Sequence, residues 1–222
     1  MIKYVIEYGS HATGEQTSLS DRDILIICNR IKKNQKEQLE NLFHIDNKRN
    51  NLDVKILNYK RFKSLLNKGS LFAYHVIFDG KAILGNMKTL QKKYKYNYNY
   101  VEDLKSLLKV YSFIKLETNK YGITIYDLSV LYVIIRNFVV IHSYLFSQVI
   151  FSKSKIKSYI QKEFANEING IDDLFENLVQ AKYTFNRDLS IKHNKEKMFY
   201  VYKQAVQLIE HMREDIKKYE NT

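Results

Sequence analysis

The chain has 222 residues, of which 45% are apolar, so it is long enough to form one large or two small domains with ordinary buried cores. Its single cysteine, Cys28, excludes an internal disulfide framework, and we expect a reducing cytoplasm as its compartment. A net charge of +12 would suit a polyanionic partner. The abundance of Lys, Asn, Ile and Tyr and the absence of proline also indicate an AT-rich genome, so the charge alone does not identify a partner.

The first 30 residues contain a glycine-serine turn followed by two carboxylates. Gly9 allows close backbone approach, and Ser10 with the N–H groups of the next turn can hold phosphate oxygens at a helix N-terminus. Asp21 and Asp23 stand at the start of the apolar strand 24–27, and alternation along a strand places them on one face. Two such carboxylates repel each other unless a cation lies between them, and Mg²⁺ is the cation we expect.

A third carboxylate is then expected on a neighbouring strand. Residues 52–57 predict a short β-branched strand with Asp53 near its start, and a helical segment separates it from the first pair. Asp21, Asp23 and Asp53 together would hold two Mg²⁺ ions, one on a triphosphate and one activating an attacking hydroxyl. The alternative is an ordinary turn with solvated aspartates, but the three elements in this order favour the site.

Residues 4–57 resemble the DNA polymerase β-type nucleotidyltransferase superfamily, whose signature is a GS turn, a D-x-D strand start and a later single Asp. The segment 67–84 also resembles the minimal and kanamycin nucleotidyltransferase-like branches. The resemblance implies transfer of a nucleoside monophosphate from an NTP to a hydroxyl, with Gly9 and Ser10 binding nucleotide and the three aspartates binding metal. Only eight residues precede Gly9, whereas many relatives carry a helix before this strand.

Residues 92–100, the lysine-tyrosine stretch, interleave four tyrosines with three lysines and two asparagines. Such a stretch could stack bases while neutralising phosphates, or it could be a polar junction between domains. Both interpretations predict a boundary near residue 95.

Helical periodicity replaces the strand pattern after this junction. We expect a helix over 101–118 and a second one that begins with a capping box at Thr124 and runs to Phe151. The second run is apolar enough to span a membrane, but Arg136, Asn137 and His142 lie in its middle, so we expect a buried helix and no membrane. Further helices are predicted at 155–165, 171–181 and 195–219.

The residues from Arg136 to His142 resemble the R-x(4–6)-H motif of HEPN ribonucleases and the toxins paired with minimal nucleotidyltransferases. At about 100° per residue the two side chains lie roughly 120° apart on one helix, so they cannot readily act from one face. We therefore expect His142 to be a core residue and Arg136 to support a cleft, as in the helical domains of kanamycin nucleotidyltransferase-like enzymes. A ribonuclease using both residues is the alternative.

The sequence thus predicts an α+β architecture, with a mixed-sheet nucleotidyltransferase domain over residues 1–95 and an all-α bundle, HEPN-like or kanamycin nucleotidyltransferase-like, over 100–222. The expected substrate is an NTP. The acceptor is an RNA end, a protein hydroxyl in a toxin–antitoxin or defence pair, or a neutral small molecule. A vestigial site in a regulatory binding module is the alternative from another functional class.

Overall fold

The structure, a computed structural model, describes residues 1–18, 20–39, 41, 52–94, 98–186 and 194–221. The chain divides into two compact units, Met1–Tyr100 and Val101–Thr222. The first contains a sheet with helices, and the described part of the second is helical. This confirms the predicted fold class, a mixed sheet followed by a helical region.

A four-stranded mixed sheet organises the first unit, with the strand order β3-β2-β1-β4. Strands β2 and β3 pair in parallel, whereas β1 pairs antiparallel with both β2 and β4. Residues 33–39, between β2 and β3, are helical. The labelled elements are, in chain order, β1 (Ile2–Tyr8), α1 (Ser10–Thr13), β2 (Arg22–Cys28), β3 (Leu52–Asn58), α2 (Tyr59–Asn67), α3 (Leu71–Asp79), β4 (Lys81–Leu84) and α4 (Met87–Lys93).

Apolar side chains cover both faces of this sheet. On one face Ile6, Leu25 and Ile27 pack with Phe62 of α2 and Val76 of α3. On the other face the core is formed by Ile24, Ile26, Cys28 and Ile56, with Ile31 and Leu39 packed against it. Strand β2 is therefore buried on both sides, which explains why its sequence is a continuous apolar run.

The second unit is built around one apolar helix. Its elements are α5 (Tyr100–Tyr121), α6 (Ile125–Phe146), α7 (Lys153–Phe164), α8 (Ile171–Asn186) and α9 (Lys195–Glu220). Helix α6 packs against α7, α8 and α9. Its length and composition alone would allow it to cross a membrane, but 67% of its most apolar window is buried inside the protein.

The predicted capping box at the start of α6 is confirmed. The Asp127 backbone N–H donates to Thr124 Oγ1 at 3.3 Å, and the Thr124 N–H donates to Asp127 Oδ2 at 2.8 Å. The predicted end of this helix at Phe151 is wrong, because α6 stops at Phe146. Phe151 is buried outside the helix, so an apolar residue that packs from a loop extended the helical pattern too far.

A polar cluster joins α5 to α9. Glu210 of α9 accepts hydrogen bonds from Tyr111 Oη at 2.8 Å and Lys115 Nζ at 3.0 Å, and Arg213 lies 3.2 Å away. Burial raises the pKa of Glu210, but the hydrogen bonds from Lys115 and Tyr111 outweigh it and hold this pKa below its usual value. The charged carboxylate therefore stabilises the folded unit.

Glu210→Gln is expected to lower the free energy of unfolding by about 1 kcal/mol at neutral pH, because it removes a charge-assisted acceptor. The charged Glu210 stabilises the fold at pH values above the pKa that this carboxyl has in the unfolded chain, and the stabilisation is lost as the pH falls through its lower pKa in the folded protein. The free energies of unfolding of the wild type and of Glu210→Gln should therefore converge in acid. Urea unfolding across this pH range measures the difference. The exposed neighbour variant Glu214→Gln is the control, and an equal loss in both variants would contradict the role of Glu210.

Candidate active site

Asp23 and Asp53 occupy paired positions on the parallel strands β2 and β3. Neighbouring strands lie about 4.8 Å apart, and residues in register project to the same face. Both residues therefore lie on the side of the sheet that α2 and α3 cover, since Leu25 and Ile27 follow Asp23 on that face. The structure thus brings two of the three predicted aspartates side by side.

Tyr8 extends this row onto a third strand, because it pairs with Asp23 across the antiparallel β1–β2 ladder. The rings of Phe72 and His75 of α3 pack edge-on against Tyr8, with centroids 5.7 and 6.1 Å away. Burial and the charge of Asp23 raise the pKa of Tyr8, and although Lys55 opposes them, the pKa reaches about 12. Tyr8 is consequently a neutral phenol beside the carboxylates at physiological pH.

Gly9 connects β1 to α1 in a backbone conformation that essentially only glycine adopts, with φ 72° and ψ −153°. A Cβ built on Gly9 would overlap the Asp23 carboxylate. The missing side chain therefore allows the carboxylate to lie against the turn. Ser10 begins α1, and Gly14, with φ 79°, ends it.

Lys55 also lies beside the carboxylates. Its Nζ is 3.4 Å from Asp53 Oδ2 and 5.8 Å from the ring centroids of both Tyr8 and Phe72. Burial lowers the pKa of Lys55, but Tyr8 and Asp53 outweigh that effect and raise it, so the side chain carries a positive charge. The sequence signal was its position two residues after Asp53, which places both on one face of β3.

Asp21 lies one residue before β2 and is exposed, so the strand ladder does not fix the direction of its side chain. Arg22, the next residue, pairs with Glu7 of β1. Within the part of the chain that the structure describes, no three His, Cys, Asp or Glu side chains form a group suited to a metal ion. A shared metal site for Asp21, Asp23 and Asp53 stays a prediction.

The donor chemistry of the Asp23–Asp53 pair nevertheless fits Mg²⁺. Two adjacent carboxylates offer the hard oxygen ligands that this ion prefers, and it takes its remaining ligands from water and phosphate. Asp53 is about half exposed, so solvent and a ligand have access to it.

The second predicted group of residues, Arg136 and His142, lies on α6 in the helical unit. His142 is 5% exposed. Its Nδ1 is 2.8 Å from Tyr159 Oη, and its Nε2 is 3.5 Å from Asp215 Oδ2. Burial lowers the pKa of His142 and outweighs the opposing effect of Asp215, which favours a neutral imidazole at neutral pH. His142 is therefore a core residue joining α6, α7 and α9, while Arg136 is half-buried.

Part of the lysine-tyrosine stretch, residues 95–97, lies outside the described residues. Tyr94 and Tyr98 are 8% and 3% exposed, so their rings are not available to stack on bases. Their burial favours the structural interpretation of these two tyrosines.

Gly9→Ala is expected to cost more stability than Gly14→Ala. Both glycines have positive φ, but a new methyl group at Gly14 meets open space, whereas one at Gly9 displaces the Asp23 carboxylate. We expect losses of about 1–3 kcal/mol at Gly9 and about 1 kcal/mol at Gly14. Chemical denaturation of the two variants measures the difference, and equal losses would show that the carboxylate does not lie against Gly9.

His142→Ala is expected to lower the free energy of unfolding by about 1–3 kcal/mol at neutral pH, as a core truncation does. The folded imidazole has a pKa below its usual 6.5, so the unfolded chain binds protons more readily and the wild type loses stability as the pH falls below that value. The difference between the two proteins should therefore narrow in mild acid. Urea titrations at about pH 7.5 and 5.5 test this, with His211→Ala as the control, and a pH-independent difference would contradict it.

Comparison with known proteins finds a similarity that lies within the first unit. Residues 2–78 match the family model described as a nucleotidyltransferase domain. The matched range runs from β1 to α3 and contains Gly9, Ser10, Asp21, Asp23 and Asp53. No curated protein matches the chain. Residues 2–78 of this protein are therefore similar to a nucleotidyltransferase domain.

Proposed function

We propose that the unit Met1–Tyr100 transfers a nucleoside monophosphate from an NTP to a hydroxyl group and releases pyrophosphate. The observation that carries the proposal is the pairing of Asp23 with Asp53, with the Asp23 carboxylate against the Gly9 turn. The domain match supports this reaction class.

In the proposed site Asp21, Asp23 and Asp53 hold Mg²⁺, with two ions expected. When bound, the ions supply charge for the triphosphate and lower the pKa of the attacking hydroxyl. The hydroxyl oxygen attacks the α-phosphorus, the bond from that phosphorus to the bridging oxygen breaks, and pyrophosphate leaves with the bonding electrons. Asp53 is our candidate to accept the hydroxyl proton.

Gly9 and Ser10 are proposed to hold the polyphosphate. The glycine lets a phosphate approach the backbone closely, and the Ser10 hydroxyl can donate to a phosphate oxygen. The proposed phosphate contacts would lie at the end of β1, where the Gly9 turn meets the Asp23 carboxylate.

The acceptor is proposed to be an RNA end, a partner protein in a toxin–antitoxin or defence pair, or a neutral small molecule, in the cytoplasm. Residues 1–100 contain 18 basic and nine acidic residues, a net +9. A positively charged unit repels polycationic acceptors such as aminoglycosides, so we do not favour that class.

The structure does not favour the alternatives. A ribonuclease using Arg136 and His142 needs an imidazole that reaches its substrate, but His142 is buried against Tyr159. A vestigial domain has no need of two carboxylates side by side, because paired like charges are destabilising and Lys55 offsets the charge of Asp53 alone.

The decisive experiment incubates the protein with each α-³²P-labelled NTP, Mg²⁺ and either total RNA or cell lysate. Labelled RNA, labelled protein or a labelled small molecule identifies the acceptor class. A protein that binds NTP but labels nothing would favour the regulatory module.

Asp23→Asn is expected to reduce labelling by about 100-fold or more, because it removes a metal-binding charge with little change in volume. The fold should persist, as circular dichroism can verify. Glu37→Gln, an exposed carboxylate on the helical segment 33–39, is the control. Unchanged turnover in Asp23→Asn at saturating Mg²⁺ and NTP would show that this site does not perform the reaction.

A further inference from the structure

We propose that Lys55 neutralises Asp53 in the metal-free protein and moves to the polyphosphate when metal and NTP bind together. This inference rests on the proposed function and adds a device by which the site takes its two ligands jointly. It is carried by the position of Lys55 relative to Asp53, Tyr8 and Phe72.

The geometry gives Lys55 its starting contact. Its backbone is in register with Leu25, whereas Asp53 is in register with Asp23, so the lysine begins one pleat further along the sheet. Its Nζ nevertheless reaches to 3.4 Å from Asp53 Oδ2. The side chain is thus turned back toward the end of the sheet where the carboxylates lie.

The surroundings allow Lys55 to leave this contact. The rings of Tyr8 and Phe72, each 5.8 Å from Nζ, flank the ammonium group, and the Tyr8 hydroxyl also interacts with it. Because Tyr8 is a neutral phenol, these contacts do not hold the ammonium as a second carboxylate would. The side chain is 52% exposed and its ion pair with Asp53 is open to solvent. Exposed pairs of this kind are weak, and lysine is a flexible point charge that can change partners.

The charges then couple the two ligands. A divalent ion arriving alone at Asp23 and Asp53 meets the Lys55 ammonium at the same carboxylate and competes with it. An NTP brings phosphate oxygens that can take over the lysine while they also ligate the ion. Metal and nucleotide should therefore strengthen each other's binding by the same factor.

The test measures binding directly, so that it does not depend on turnover. Mn²⁺ affinity is followed by electron paramagnetic resonance without nucleotide, and affinity for a fluorescent ATP analogue is followed with and without Mg²⁺. Lys55→Met should bind Mn²⁺ about two- to fivefold more tightly and the Mg²⁺–nucleotide complex about two- to fivefold more weakly. Lys55→Arg should keep the wild-type pattern, and Lys63→Met, an exposed lysine of α2, is the matched control.

Two results would overturn the inference: unchanged or weaker Mn²⁺ binding by Lys55→Met, or unchanged nucleotide affinity in that variant. If Lys55→Met does not fold, Lys55→Arg still tests the inference. Metal and nucleotide that weaken each other's binding in Lys55→Arg would overturn the inference equally. Failure of the proposed function is a separate outcome. It would appear as an Asp23→Asn variant that binds Mn²⁺ and labels the acceptor as well as the wild type does.

Discussion

The parallel register between β2 and β3 is the constraint on which the candidate site depends. It sets Asp23 beside Asp53, and the antiparallel partner β1 adds Tyr8 on the other side. Three strands distant in sequence thereby present one row of polar groups at one end of the sheet. The Gly9 turn completes the arrangement, because a side chain at that position would overlap the Asp23 carboxylate.

Strand β3 has the pattern that holds this register. Strand β2 is apolar on both faces, so burial alone penalises a slip of β2 only weakly. In β3, by contrast, Ile56 faces one core, while Asp53 and Lys55 stand on the opposite face. A slip of one residue would turn both charged groups toward that core, where desolvation would destabilise the fold. The same alternation that exposes the carboxylate to ligands thus selects the pairing.

Sequence patterns predicted the features that are fixed by residues close together in the chain, such as strands and helix caps. The alternating pattern of residues 52–57 predicted the strand that carries Asp53, and the spacing of Thr124 and Asp127 predicted the capping box. Partners distant in sequence could not be predicted, because they depend on tertiary packing. The contacts of His142 with Tyr159 and Asp215 and the contact of Lys55 with Tyr8 belong to this group. The predicted end of α6 was wrong for the same reason, because Phe151 is buried by tertiary packing although it lies in a loop.

The distribution of charged residues along the chain helps to distinguish an effect of codon bias from a charge that bears on function. A codon bias toward lysine acts on the whole sequence, and both parts are rich in basic residues, with 18 in residues 1–100 and 18 in the longer part, residues 101–222. The acidic residues differ, with nine in the first part and 15 in the second. The net +9 of the first part therefore reflects its low number of carboxylates as well as its lysines. Asp23 and Asp53 stand side by side within that positive part, where the surrounding field favours the approach of a polyanionic ligand.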